Sequence, residues 1–119
     1  MSSLQILKNN TAILVVGREV LAADHRHHAL QVSIALDSPF QLHWETATGA
    51  TKSGEFYAVV IAPDVNHSLD GAGGLQALLL IEPEHSCAQQ LKEQWLGGEA
   101  VAPLPGSLRV ELINSLSKE

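Results

Sequence analysis

Residues 24–40 run Asp24-His25-Arg26-His27-His28-Ala29-Leu30-Gln31-Val32-Ser33-Ile34-Ala35-Leu36-Asp37-Ser38-Pro39-Phe40. From residue 29 onward, large apolar residues alternate with small or polar ones. A strand sends successive side chains to opposite faces, so Leu30, Val32, Ile34 and Leu36 share one face. The other face carries His25, His27, Ala29, Gln31, Ser33 and Ala35. Asp37-Ser38-Pro39 is a turn cluster that stops the strand. One face is thus bulky and apolar, while the other sets imidazoles and an amide among small residues that leave space beside them. His28 has the parity of the apolar face and is expected to be structural.

Working outward, the neighbouring segments are also short and β-like. Residues 11–16 are apolar and largely β-branched up to Gly17, and residues 18–23 follow at once. Residues 40–45 alternate again. Residues 46–54 are small and polar and are expected to form a loop. Residues 56–62 read as one apolar strand ending before Pro63. Leu69-Asp70-Gly71-Ala72-Gly73-Gly74 reads as a hairpin-like turn, and residues 75–81 as the last strand before Glu82-Pro83. Six to eight close-set strands with no helices between them indicate an antiparallel sandwich or barrel. The remainder differs. Cys87, Leu91 and Trp95 recur at helical spacing before Gly97-Gly98, and Leu108, Leu112 and Leu116 do so after Pro103 and Pro105, with Ser107 as an N-cap. Two short helices are expected there, covering sheet surface or forming a dimer contact.

Composition sets the class. The chain has 119 residues, enough for one core, with 45% hydrophobic and 17% charged residues, which are globular proportions. Seven Lys and Arg against 13 Asp and Glu leave a net charge of −6. Such a surface repels phosphate, so neither nucleic acid nor an anionic membrane is expected as a partner. The single Cys, Cys87, forbids an internal disulfide and suits the cytoplasm. No apolar run reaches the ~18–20 residues of a membrane helix. Neither a nucleophile elbow nor a phosphate-binding Gly loop is present.

The chemistry-bearing residues are histidines. Three of the six fall within residues 25–28. A further one, His67, closes Ala62-Pro63-Asp64-Val65-Asn66-His67 directly after an apolar strand. If that strand lies beside the first, His67 meets His25 and His27 across the interior. His43 and His85 read as surface residues, Trp44 as packing, Asp24 and Arg26 as solvated charges, and Cys87 as a buried, inert thiol.

The spacing His25-x-His27-x-x-x-Gln31, followed after a hairpin by a Pro-containing turn ending in His67, resembles the two sequence motifs of cupins. In that superfamily the first motif supplies two His and a Glu, the second supplies one more His, and the four bind a divalent metal within a small β-barrel. Carried over, the positions are His25, His27, Gln31 and His67. The strings at 27–40, 63–71 and 78–84 resemble more closely the N-terminal cupin-type sensor domain of AraC-type transcriptional regulators, over about residues 12–98. Departures are Gln31 for the usual Glu, Ser38 for the Gly closing the first motif, and Ala62 and Asp64 for the Pro and Gly of the second. The helix-turn-helix units of those regulators have no counterpart. An amide oxygen is a weaker ligand than a carboxylate, yet three imidazoles and a neutral oxygen suit Zn, Ni or Fe.

The resemblance implies an all-β fold, a cupin-type antiparallel β-barrel of jelly-roll kind with two short C-terminal helices. Residues 1–119 would form a single domain, with the barrel over about 4–83 and the helical tail over about 84–119. The implied function is that of a stand-alone small-molecule-binding or sensor domain. Its ligand-binding residues would be His25, His27, Gln31 and His67, which would also hold any divalent metal, and it would act as a cytoplasmic homodimer. The alternative is a metal-dependent enzyme, an oxygenase, isomerase or decarboxylase, acting on a small polar metabolite.

Overall fold

The structure, a computed structural model, describes residues 12–17, 28–71 and 73–117. Its strands are β1 (Ala12–Gly17), β2 (Leu30–Ala35), β3 (Phe40–Glu45), β4 (Thr51–Phe56), β5 (Ala58–Ile61), β6 (His67–Asp70), β7 (Gln76–Ile81) and β8 (Val101–Pro103). Helix α1 (Ser86–Leu91) runs into a π-helical turn (Lys92–Leu96), and α2 (Gly106–Ser117) follows β8. Among the described residues the strands form two antiparallel sheets, one of five strands in the order β1-β7-β2-β5-β8 and one of three in the order β4-β3-β6.

The alternation in β2 explains the layering. All six of its residues are buried, because each face meets a different partner. Leu30, Val32 and Ile34 pack with Val60, Leu79 and Ile81 of the same sheet and with Ala88, Leu91, Leu96 and Leu112 of the helical region. The helices therefore cover the outer face of the five-stranded sheet. The opposite face packs Ala35, Val59 and Ile61 against Phe40, Leu42 and Leu69 of the three-stranded sheet. Outside β3, the polar residues Gln41, His43 and Glu45 are exposed, as an antiparallel sheet with one solvated face requires. Arg109 pins α2 to this frame. Its Nε donates to the Ala35 carbonyl at 3.0 Å, and its guanidinium lies 5.1 Å from the centre of the Tyr57 ring.

Three expectations need correction. The sheets do not close into a barrel: among the described residues β4 pairs only with β3, and β8 only with β5. The molecule is a sandwich with an open side, so the strand hydrogen bonding that closure demands is missing between those two edges. Next, residues 46–54 are not all loop. Thr51–Phe56 is a strand in full register with β3, from Phe40↔Phe56 to Glu45↔Thr51. As an edge strand it is mostly exposed, and so lacks the apolar alternation by which strands are read. Lastly, residues 69–74 do not form a hairpin. β6 belongs to the three-stranded sheet and β7 to the five-stranded one, so the Gly-rich segment carries the chain between layers. The apolar run at 56–62 does the same, with Tyr57 standing at the corner between β4 and β5.

Asp37 ties two of these crossings together. Its Oδ1 accepts from the backbone N–H of Ser38 at 2.7 Å and of Leu75 at 2.8 Å. Gly74 lies so close that a Cβ there would stand 2.5 Å from Ser38 Oγ. Asp37→Ala leaves two amides without their acceptor at a solvent-accessible turn. The expected loss is about 1 kcal/mol, read as a lower urea midpoint with an unchanged slope. A midpoint equal to that of the wild type would show that water replaces the carboxylate fully.

Candidate functional site

Two of the four residues singled out from the sequence come together. Gln31 projects from the inner face of β2 and is fully buried, and His67, at the start of β6, is 2% exposed. They come from different sheets and are 36 positions apart, yet His67 Nε2 lies 3.3 Å from Gln31 Oε1. His67 Nδ1 is 2.9 Å from the Val65 carbonyl oxygen, so in the neutral ring Nδ1–H donates and Nε2 carries the lone pair. Gln31 Nε2 donates to Ser33 Oγ at 2.8 Å. In this orientation of the amide two lone-pair atoms face each other. A proton or a cation between them reconciles the contact. So does turning the amide over, which lets its nitrogen donate to Nε2 while its oxygen accepts from the Ser33 hydroxyl.

The donor chemistry can be tested against a metal. Ligands about 2.1 Å from one ion, at tetrahedral angles, stand about 3.4 Å apart. Nε2 and Oε1, at 3.3 Å, fit one edge of such a site. Among the described residues no three His, Cys, Asp or Glu side chains gather at one point. His25 and His27 lie outside the described residues, as do Asp24 and Arg26.

His28 corrects another expectation. It does not join the apolar face: its side chain is 70% exposed, 3.3 Å from Asp64 and 3.7 Å from Glu84. The strand begins only at Leu30, so strand parity does not extend back to residue 28. The hydrogen bond that the ring N–H donates to Asp64 and that carboxylate's charge raise the imidazole's pKa above its ordinary value; desolvation opposes this and Glu84 adds to it. The imidazole therefore keeps its charge, and with it the ion pair to the ionised carboxylate, until pH rises through the raised value. Its exposure to solvent makes it a weak contact.

Two features of the interior went unread in the sequence. Gln76, 1% exposed, projects between the sheets opposite Ala35, and neither atom of its amide has a hydrogen-bond partner among the described residues. Its amide lies against Gly71, where any Cβ would overlap the side-chain nitrogen. No local pattern marks it, because a Gln at the head of an apolar strand reads as a boundary residue. The second feature is the row Lys52, Trp44 and His67, directly opposed across β4, β3 and β6 and hence on one face. Trp44 packs on Phe56 with ring centres 6.0 Å apart, a contact made as that ring lies over Gly54, where a Cβ would stand 3.0 Å from it. At the open side of the sandwich Lys52 and Trp44 border a cleft of about 850 Å³ that reaches the turn before β8. Lys52 was missed because its segment reads as loop.

The chain matches no protein-family profile, and no curated protein matches it. Among solved structures, an oxalate decarboxylase is similar over 74% of this chain and 26% of its own length, at 11% identity and a TM-score of 0.54. A Neisseria meningitidis protein aligns over 60% of this chain and 70% of its own, at 16% identity and a TM-score of 0.38. This chain thus spans about a quarter of the length of that decarboxylase. At such identity the likeness concerns the fold alone, a cupin-like β-sandwich.

Proposed function

We propose that this domain binds a small molecule within a cupin-type sandwich, as a sensor-like module, at a polar pole formed by His25, His27, Gln31 and His67. The observation that carries the reading is the meeting of Gln31 and His67, 3.3 Å apart and both buried, in an interior lined mostly by apolar residues. Burying polar groups costs free energy unless something pairs with them. Gathering Gln31, Ser33 and His67 in a mostly apolar interior is the arrangement expected of a site. The neutral oxygen and the imidazole also suit Zn, Ni or Fe, which would polarise whatever it bound. Among the described residues the buried polar set contains no carboxylate, and its one group able to move a proton, His67, is used here for binding. Binding is therefore put before a metal-dependent oxygenase, isomerase or decarboxylase.

The test compares wild type with His27→Ala and His67→Ala. Elemental analysis is expected to find Zn, Ni or Fe bound to the wild type and depleted in both variants. Equal metal in all three would remove the metal from the proposal. A thermal-shift screen of small polar metabolites then addresses binding. A ligand at a hundredfold excess over its Kd adds about 2.7 kcal/mol of stability, which should vanish in His67→Ala. Silence across a broad library would refute the function.

A further inference from the structure

Lys52 and Glu99 face the same cleft from opposite layers. Lys52 is on β4 of the three-stranded sheet, and Glu99 is on the turn leading into β8 of the five-stranded sheet. Lys52 is opposed to Trp44, which puts a cation on the face that otherwise packs the core. Within the described residues neither side chain has an ion-pair or hydrogen-bond partner, and they do not pair with each other. The other two cleft carboxylates are engaged: Glu45 accepts from Asn66 at 3.1 Å, and Asp64 meets His28. Trp44, Ala62 and Val101 line the same cleft. The volume, about 850 Å³, is that of a metabolite site.

We propose that this open-side cleft binds a zwitterionic small molecule of the α-amino-acid type, its carboxylate on Lys52, its ammonium on Glu99 and its apolar body against Trp44. Charge decides the class. Lys52 stands against Glu45, Asp64 and Glu99, so a simple anion meets a net negative rim and a simple cation leaves Lys52 unbalanced. A molecule carrying both charges satisfies Lys52 and Glu99 at once, and the fixed indole adds apolar contact and cation–π attraction. The inference rests on the reading of this domain as a small-molecule binder but uses different residues from the buried pole.

The experiment compares three probes with one carbon skeleton: leucine, 4-methylpentanoate (no ammonium) and 3-methylbutan-1-amine (no carboxylate). Tryptophan fluorescence and calorimetry are recorded on the full chain, with Trp44→Phe identifying the reporting ring. Leucine is expected to bind about tenfold or more tightly than either single-charge probe, and Lys52→Met and Glu99→Gln each to weaken it by a similar factor, since hydrogen bonds to charged groups carry about that much. Both sites are exposed, so unchanged melting temperatures will show that the variants fold. A single-charge probe that binds as well as leucine, leucine binding indifferent to both substitutions, or no leucine binding up to its solubility limit overturns the proposal. If leucine is silent while another metabolite binds in a His67-dependent way, the cleft proposal falls and the proposed function stands; silence of every compound defeats both.

Discussion

Phe40→Ala is expected to destabilise the domain by about 3–5 kcal/mol, a large share of what a domain of this size possesses. Phe40 is 1% exposed and sits between the two sheets, with its ring centre 6.5 Å from that of Phe56. Truncation removes the ring's burial and leaves a cavity that neighbours from both layers must collapse to fill. They have little freedom to do so, because Leu42, Leu69, Val59 and Ile61 are each fixed by a strand register. Gln41, one position along, faces solvent, so Gln41→Ala should change stability by less than about 0.5 kcal/mol. Urea unfolding of both variants measures the contrast. A small loss for Phe40→Ala, or similar losses for both, would mean that the three-stranded sheet does not pack on the other through this face.

The second large effect has the opposite sign. Gln76→Met is expected to stabilise the unliganded domain by about 1–3 kcal/mol, because it removes a buried amide whose hydrogen-bonding atoms are unused and substitutes a side chain of similar length. Gln31→Met should lower stability by a similar amount, since it strands the groups that Gln31 engages at His67 and Ser33. Two buried glutamines on one sheet face would thus respond oppositely to the same substitution, according to whether the amide has partners. Thermal and urea denaturation of the pair gives the answer. A destabilised Gln76→Met would show that the amide is engaged in solution.

Much of the fold is legible from β2 alone. Its alternation gives two faces, and the structure buries both, one under helices and one under a sheet. The strands at 40–45 and 75–81, and both helices, also follow from local patterns: β3 alternates because it buries one face, β7 is a continuous apolar run because both its faces are covered, and the helices set apolar residues toward the sheet at helical spacing. Where the reading errs, the local signal is weak or points elsewhere. β4 is an exposed edge, so burial imposed no pattern on it. β8 has three residues, including Pro103, too few for periodicity to register. Residues 69–74 have the composition of a hairpin, yet whether the next strand returns to the same sheet or crosses to the other is settled by packing, not by turn residues.

For the site the division is sharper. Residue identities and strand parity put Gln31 on the inner side of β2 and make His67 a candidate, with the cupin resemblance supplying the idea that they meet. That they lie 3.3 Å apart depends on β6 leaving the neighbourhood of β5 to pair with β3 in the opposite layer. The open side between β4 and β8, which creates the cleft and puts Lys52 and Glu99 across from each other, is likewise a product of layer assembly. Alternation and spacing are local properties of a chain, so they can specify faces and elements. Which faces meet, and where the two sheets fail to join, depends on contacts between residues far apart in sequence, and those exist only once the layers have packed.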